Sequence, residues 1–535
     1  MTKTLLFLLL CLLMLPAQAA KVETGDAQLD SAFSDLLGSN FDRKQAAVQS
    51  IASSGHPKAF ALIEGILNSD LFLLKSDKRL VFTKKNGRKY QASDAFTDEV
   101  LGEFSKRKLK KISINNAMRR DIRSLLATRD LDSPDAQARL AAVNSMLDKP
   151  EPGHVALIEP RLERETDQAV KDAMQLALAL ANLGSDDEGE RLQAVGEVKQ
   201  SLEPVVRQKL SELAEGDASA SVREAASAAL RKIDDRVALF GHIETLFFGL
   251  SLGSVLVLAA IGLAITFGVM GVINMAHGEL IMLGAYTTYL MQQLMPDLPG
   301  AALLLSIPAA FMVSGLTGIA IERGVIRFLY GRPLETLLAT FGISLILQQL
   351  VRTVISPQNV PVSNPEFMSG FWQINSVLSL TYNRMYIILF CLMVFVGLFL
   401  ILKRTRLGLQ VRAVSQNRSM ARAMGVHSSR VDALTFGLGS GIAGVAGVAL
   451  SQLTNVGPNL GQAYIVDSFM VVVFGGVGNL WGTLIGGLSL GIANKFMEPW
   501  AGAVMAKILI LVIVILFIQK RPRGLFPQKG RAAEG

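Results

Sequence analysis

Cysteine is nearly absent, with two in 535 residues. Cys11 lies in an N-terminal apolar run and Cys391 in a second hydrophobic stretch. Once the first segment is removed, no intramolecular disulfide can form, and no redox or thiol-metal chemistry follows. Charge is also scarce, at 18% of residues against 50% hydrophobic. At this length that composition excludes one ordinary soluble domain and points to a membrane region. No G-x-x-x-x-G-K-[ST] segment occurs anywhere in the chain, so a phosphate-cradling loop is excluded and any ATP hydrolysis belongs to another polypeptide. The basic stretches Lys84–Lys89 and Lys106–Lys111 lack interleaved aromatic platforms, which argues against nucleic acid as a partner.

The chain does contain two fused architectures. Residues 21–240 are rich in Ala, Leu and charged side chains, whereas 241–522 is a series of apolar runs broken by Gly and Pro, followed by a basic tail at 523–535. Ahead of both, Lys3, the Leu5–Leu15 run and the Ala17-Gln18-Ala19 junction read as a signal peptide over 1–20, which makes 21–240 an exported domain. Apolar residues recur there at helical spacing, as in Val170, Ala173, Met174 and Ala177. Arg43, Arg139 and Lys171 precede such faces at intervals that are multiples of 32 residues. That period predicts stacked helix pairs of the HEAT or armadillo kind, with ERLQAV at Glu190 out of phase. The Asn86-Gly87 pair between β-prone runs predicts a small hairpin inserted into this domain.

Leu246–Val269 is an uncharged run long enough to cross the hydrocarbon. Eight further spans are expected near 278–293, 302–321, 334–354, 385–402, 432–453, 464–477, 479–497 and 501–519, with a re-entrant segment as the other reading of the short stretch 464–477. The fold class is therefore all-α, a polytopic membrane domain of about eight to ten spans behind a helical-repeat domain. Nine crossings from an external start place 403–431 inside. From Lys403 to Arg430 there are seven Lys/Arg and no Asp/Glu, the bias of a cytoplasmic loop. Small residues crowd the last third, and Gly439, Gly441 and Gly444 match G-x-G-x-x-G. With no strand before it, that match is read as helix packing.

Polar residues inside the apolar region are the candidate pathway. Asn274, His277 and Glu279 fall between two apolar stretches and are flanked by Gly271 and Gly278, the pattern of a discontinuous helix lining a cavity. A wet interfacial connection is the other reading of these three residues. No second or third ligand is spaced for a metal. ITFGVMGVIN at Ile265 and VVVFGGVGNLWG at Val471 share a Phe-Gly-to-Asn pattern, read either as the trace of an internal repeat or as common Gly-rich helix packing.

INMAHGELIMLGAY, ATFGISLILQQ, the loop Arg412–Val426, FGGVGNLWGTLIGG and RPRGLFP together resemble the permeases of ATP-driven branched-chain amino acid importers over residues 245–527. The long leader domain and NMAHGE resemble the permease subunits of urea importers within that class. The resemblance implies a transport subunit and not an enzyme, with no cofactor on this chain and ATP/Mg on its partners. Those partners would be a second homologous permease subunit, two cytosolic ATPase subunits, an exported substrate-binding protein and the bilayer. It implies a coupling role for Arg412, Ser415, Asn417, Ala421 and Gly425. Urea is neutral and rich in donors and acceptors, so Asn274, Thr340, Gln348, Gln349 and Asn479 join His277 and Glu279 as pathway candidates. The alternatives are a branched-chain amino acid or short amide as cargo, or a passive urea channel.

Overall fold

The computed structural model describes residues 27–526, except 39, 78, 87–88 and 148–152. The expected signal peptide and the end of the tail lie outside the described residues. Two compact units divide the chain at Asp234/Asp235.

The first unit opens with helices α1 (Ala27–Leu36), α2 (Phe41–Ser53) and α3 (Ala59–Asn68). Asn40 caps α2 by accepting the Asp42 N–H at 2.8 Å. The hairpin expectation was too small. Strands β1 (Leu71–Leu74), β2 (Arg79–Asn86), β3 (Lys89–Asp94), β4 (Val100–Phe104) and β5 (Leu109–Lys111) form one antiparallel sheet in the order β4-β3-β2-β1-β5. The expected hairpin is β2–β3, in register from Val81–Asp94 to Asn86–Lys89, with its Gly87 turn residue outside the described residues. β1 is buried along its whole length and so carries no alternation of polarity; β5 has three residues. Leu71, Leu73 and Leu80 join the core of the helices, while Phe72, Leu74, Val81 and Leu109 form a second cluster.

Helices α4 (Asn116–Asp130), α5 (Ala136–Leu147), α6 (Gly153–Leu162), α7 (Gln168–Asn182), α8 (Glu188–Val198) and α9 (Pro204–Gly216) complete this unit with the first turns of α10 (Ala220–Met270). An arginine at the start of a helix clasps the loop before it. Arg139 donates to the carbonyls of Ser133 and Pro134 at 2.8 and 3.2 Å. Arg191 does the same to Ser185 and Asp186 at 2.8 and 2.9 Å, and Arg223 to Asp217 and Ala218 at 2.6 and 3.2 Å. The stretch expected to be out of phase therefore carries the repeated contact, because Arg191 of ERLQAV occupies the place of Arg139. Two of these arginines also pair with a carboxylate, Arg139 with Glu165 at 2.8 Å and Arg191 with Asp217 at 2.9 Å.

The second unit is helical apart from the ribbon β6 (Phe371–Gln373) and β7 (Ser379–Thr381). After α10 come α11 (His277–Leu294), α12 (Pro299–Gly324), α13 (Pro333–Val354), α14 (Tyr382–Arg404), α15 (Arg406–Gln416), α16 (Arg418–Ala423), α17 (Ser428–Ser451), α18 (Leu460–Gly475), α19 (Leu480–Ala501) and α20 (Ala503–Lys520). Among the described residues, six helices are long and apolar enough to cross a membrane: α10, α12 with its extension to Phe328, α13, α14, α17 and α20. The remaining expected spans correspond to α11, α18 and α19, which fall short of that measure. α11 carries His277 and Glu279, and α18 has 16 residues.

Glycine sets how closely these helices pack. A Cβ at Gly284 of α11 would meet the backbone of Gly444 of α17, and one at Gly262 of α10 would meet the Gly439 carbonyl. One at Gly278 would lie 2.6 Å from the Gly461 carbonyl oxygen of α18. Side chains at these points would force the backbones apart. The G-x-G-x-x-G residues are thus contact points in the middle of α17, whose neighbours are α10, α11 and α12.

Candidate functional site

The site begins where α10 stops. Gly271 adopts φ +67°, a left-handed conformation that glycine takes without a Cβ penalty, and residues 271–276 run outside any helix until α11 starts at His277. The broken segment is held by side chains: Asn274 Oδ1 accepts the Ala276 N–H at 3.0 Å, and Thr340 Oγ1 accepts the Met275 N–H at 3.1 Å. His277 Nε2 lies 2.8 Å from the Ala259 carbonyl oxygen on α10. That carbonyl accepts, so Nε2 carries the proton in this contact.

Helix α13 supplies the facing wall. Thr336, Thr340, Ser344 and Gln348 recur every four residues and therefore share one helical face; all four are buried. Glu279 Oε1 accepts from Ser344 Oγ at 2.9 Å and from Gln348 Nε2 at 2.7 Å. One turn further on, Arg352 donates to Asn459 Oδ1 at 2.8 Å.

Of the expected pathway residues, Glu279 and Gln348 meet directly and Thr340 holds the backbone beside Asn274, whereas His277 turns to α10 instead. Asn274, His277 and Thr340 are fully buried, and Glu279 is 1% exposed, so the reading of a wet interfacial connection does not hold. Gln349 is corrected. It is the next residue after Gln348 on the helix, faces away and is exposed. Asn479 is likewise elsewhere, capping α19 by accepting the Trp481 and Gly482 N–H groups at 3.0 and 3.2 Å. Ser344 was missed, although its spacing from Thr340 and Gln348 could have found it.

Three buried polar atoms of this segment have no hydrogen-bond partner among the described residues: Asn274 Nδ2, His277 Nδ1 and Glu279 Oε2. Leaving such groups unsatisfied is costly. A donor, a ring nitrogen and an acceptor are therefore left unpaired in this short stretch of chain.

The basic loop forms a separate feature. Thr405 caps α15 and Asn417 caps α16 through the Met420 N–H at 2.9 Å. Ala421 is buried with Val411, Val414 and Val431. Gly425, at φ +86°, closes α16, and the next N–H, of Val426, reaches the Ala421 carbonyl at 3.0 Å. Arg418 bonds Asp432 at 2.6 Å and stacks 4.0 Å from the centre of the Tyr330 ring. The expected coupling residues thus hold the loop's shape: Arg412 donates to the Leu402 carbonyl, and Ser415 to that of Arg412 at 3.1 Å. The large apolar side chains presented outward are Leu409, Met420 and Met424, which the sequence reading did not single out.

Residues 245–518, which contain both features, match the family described as the permease component of branched-chain amino acid transport systems. The chain is 31% identical over 296 residues to the high-affinity branched-chain amino acid transport permease BraD of Pseudomonas aeruginosa, covering 54% of this chain and 96% of that protein. It is 30% identical over 293 residues to LivH of Escherichia coli K12, covering 53% and 94%. A probable LivH of Methanocaldococcus jannaschii is 26% identical, covering 51% and 88%. No solved structure matches significantly. With half the chain matched to the family and nearly the whole of BraD covered, this chain belongs to the branched-chain amino acid transport permease family.

Proposed function

We propose that this chain is one of two related membrane subunits of an ATP-driven importer, and that its cargo is urea. The observation that carries the reading is the buried segment where the helix breaks, in which Asn274 Nδ2, His277 Nδ1 and Glu279 Oε2 have no partner among the described residues. Urea offers a carbonyl acceptor and two NH₂ groups, so it can satisfy donor and acceptor atoms together. The aliphatic part of leucine or valine would leave them unpaired. The long leader domain and the NMAHGE motif, which resemble the urea-type subunit, support the same cargo.

In this reading, cytosolic ATPases bind the α15–α16 loop, with Met420 and Met424 as its outward apolar contacts. ATP and Mg stay on those subunits, and an exported binding protein delivers urea. ATP-driven movement of the loop reaches α17 through Arg418–Asp432. From there it reaches α11 and the cluster through the Gly284–Gly444 contact. The branched-chain amino acid reading is favoured by the names of BraD and LivH. Vesicles containing the full complex, binding protein and internal ATP separate the two: labelled urea should accumulate, and leucine should not displace it. ATP-driven leucine uptake indifferent to excess urea would assign the chain to amino-acid import.

A further inference from the structure

A cavity of about 850 Å³ lies away from the polar cluster, between the end of α10, the end of α14, α15, the start of α19 and the stretch Leu525–Phe526. Its lining contains Lys403 and Arg412 and no carboxylate. Neither cation has an ion-pair partner among the described residues; Arg412 is tethered to a backbone carbonyl, and Lys403 Nζ lies 5.2 Å from the centre of the Phe399 ring. Ser415, Gln416 and Asn479 add neutral polar groups. The rest is apolar. Trp481 packs edge-on against Phe395 and Phe399, with centroids 5.2 and 5.9 Å away, and half of its surface remains exposed.

We propose that this cavity binds an anionic phospholipid, with Lys403 and Arg412 on the phosphate and the Phe399–Trp481 wall against the acyl chains. Unpaired cations beside apolar walls select a ligand that is anionic at one end and hydrophobic at the other. Basic pockets between membrane helices take lipid headgroups by this combination. A free phosphate would answer the charge but leave the aromatic wall wet. The volume is also far larger than one small ion requires, since a water molecule's share of liquid is roughly 30 Å³. Nothing in this site depends on which solute the protein moves.

Trp481 is a built-in reporter, because the chain has three tryptophans and Trp372 and Trp500 can be replaced by Phe. The full-length protein with Trp481 alone is reconstituted in bilayers containing brominated phosphatidylglycerol or brominated phosphatidylcholine, and quenching gives the relative affinity at the cavity. A cation next to an anionic headgroup is worth about a fivefold preference, so the two together predict phosphatidylglycerol favoured by roughly 20- to 30-fold. Lys403→Gln should reduce that to about fivefold while Lys403→Arg retains it, which separates loss of charge from loss of fold. Equal quenching by both lipids, or no quenching by either, overturns the proposal. Displacement of phosphatidylglycerol by millimolar inorganic phosphate would also overturn it, by assigning the cavity to a free anion.

Discussion

Glu279→Gln tests the candidate pathway with the smallest change of shape. The carboxylate oxygen Oε1 accepts from Ser344 and Gln348 at 2.9 and 2.7 Å, and the amide oxygen of Gln can accept both bonds in place. Hydrogen bonds to a charged acceptor contribute about 1.5–3 kcal/mol each, against about 0.5–1.5 for neutral pairs. Two weakened bonds thus cost about 2–3 kcal/mol, and relief from burying a charge offsets part of this. The variant should fold, with a melting temperature in detergent only a few degrees lower. Transport is a different matter, because Oε2 has no partner and the substitution puts an NH₂ donor where an acceptor stood. A solute NH₂ that met an acceptor now meets a donor, and losing one such bond to a charged group corresponds to a 10- to 100-fold drop in uptake. Initial rates of labelled urea uptake into vesicles measure this. Normal uptake by Glu279→Gln, with cysteines at 274, 277 and 279 unreactive from either side in every nucleotide state, would make the cluster a packing device and end the pathway argument.

Gly284→Ala should destabilise the protein by about 1–3 kcal/mol through a collision of backbones. Gly342→Ala, on a helix with nothing within 4 Å of the new methyl, should be neutral or stabilising by up to about 1 kcal/mol; thermal unfolding of both in one detergent makes the comparison. Ala421→Asp places an unpaired carboxylate among Val411, Val414 and Val431, so ATP hydrolysis by the complex should become uncoupled from uptake while membrane insertion is unaffected. In the first unit, hydrogen bonds from Arg139 hold the Glu165 carboxyl down to about 2. A depressed carboxylate stabilises the fold above its unfolded value near 4.5, and that contribution disappears as pH falls from there towards 2. The thermal unfolding midpoint of the first unit, followed in the full-length protein, should therefore fall across this window in the wild type and fall less in Arg139→Ala.

How much of this was legible in the sequence depended on whether one residue type had one structural use. Long uncharged runs have few alternatives, so the C-terminal end of α10 and both ends of α13, α14 and α17 fall within a few residues of where hydropathy placed them. The break at 271–276 was legible for the same reason, since Gly271, Asn274 and His277 cannot all be reconciled with an uninterrupted span. Identity alone did not separate Gln348 from Gln349, and the spacing that does so, four residues between Thr336, Thr340, Ser344 and Gln348, went unused because Ser344 was not singled out. The leader sheet was largely illegible, since β1 is buried on both sides and loses the alternation that marks a strand.

Asn479 shows why a motif shared between two sites does not carry one role. Phe267-Gly268 and Phe474-Gly475 each precede glycine at positive φ, Gly271 in the first break and Gly476 and Gly478 in the second. Each break ends in an asparagine whose side chain accepts backbone N–H groups of the following residues, Asn274 from Ala276 and Asn479 from Trp481 and Gly482. The internal echo is therefore a repeated way of stopping one helix and starting the next. The two asparagines differ in their remaining atom. Asn479 Nδ2 donates to the Phe526 carbonyl at 3.3 Å, whereas Asn274 Nδ2 is buried without an acceptor. The difference comes from residues distant in sequence, α13 against the first break and the chain after α20 against the second. Among the described residues, the asparagine of the first break is thus the one left with an unpaired side-chain donor.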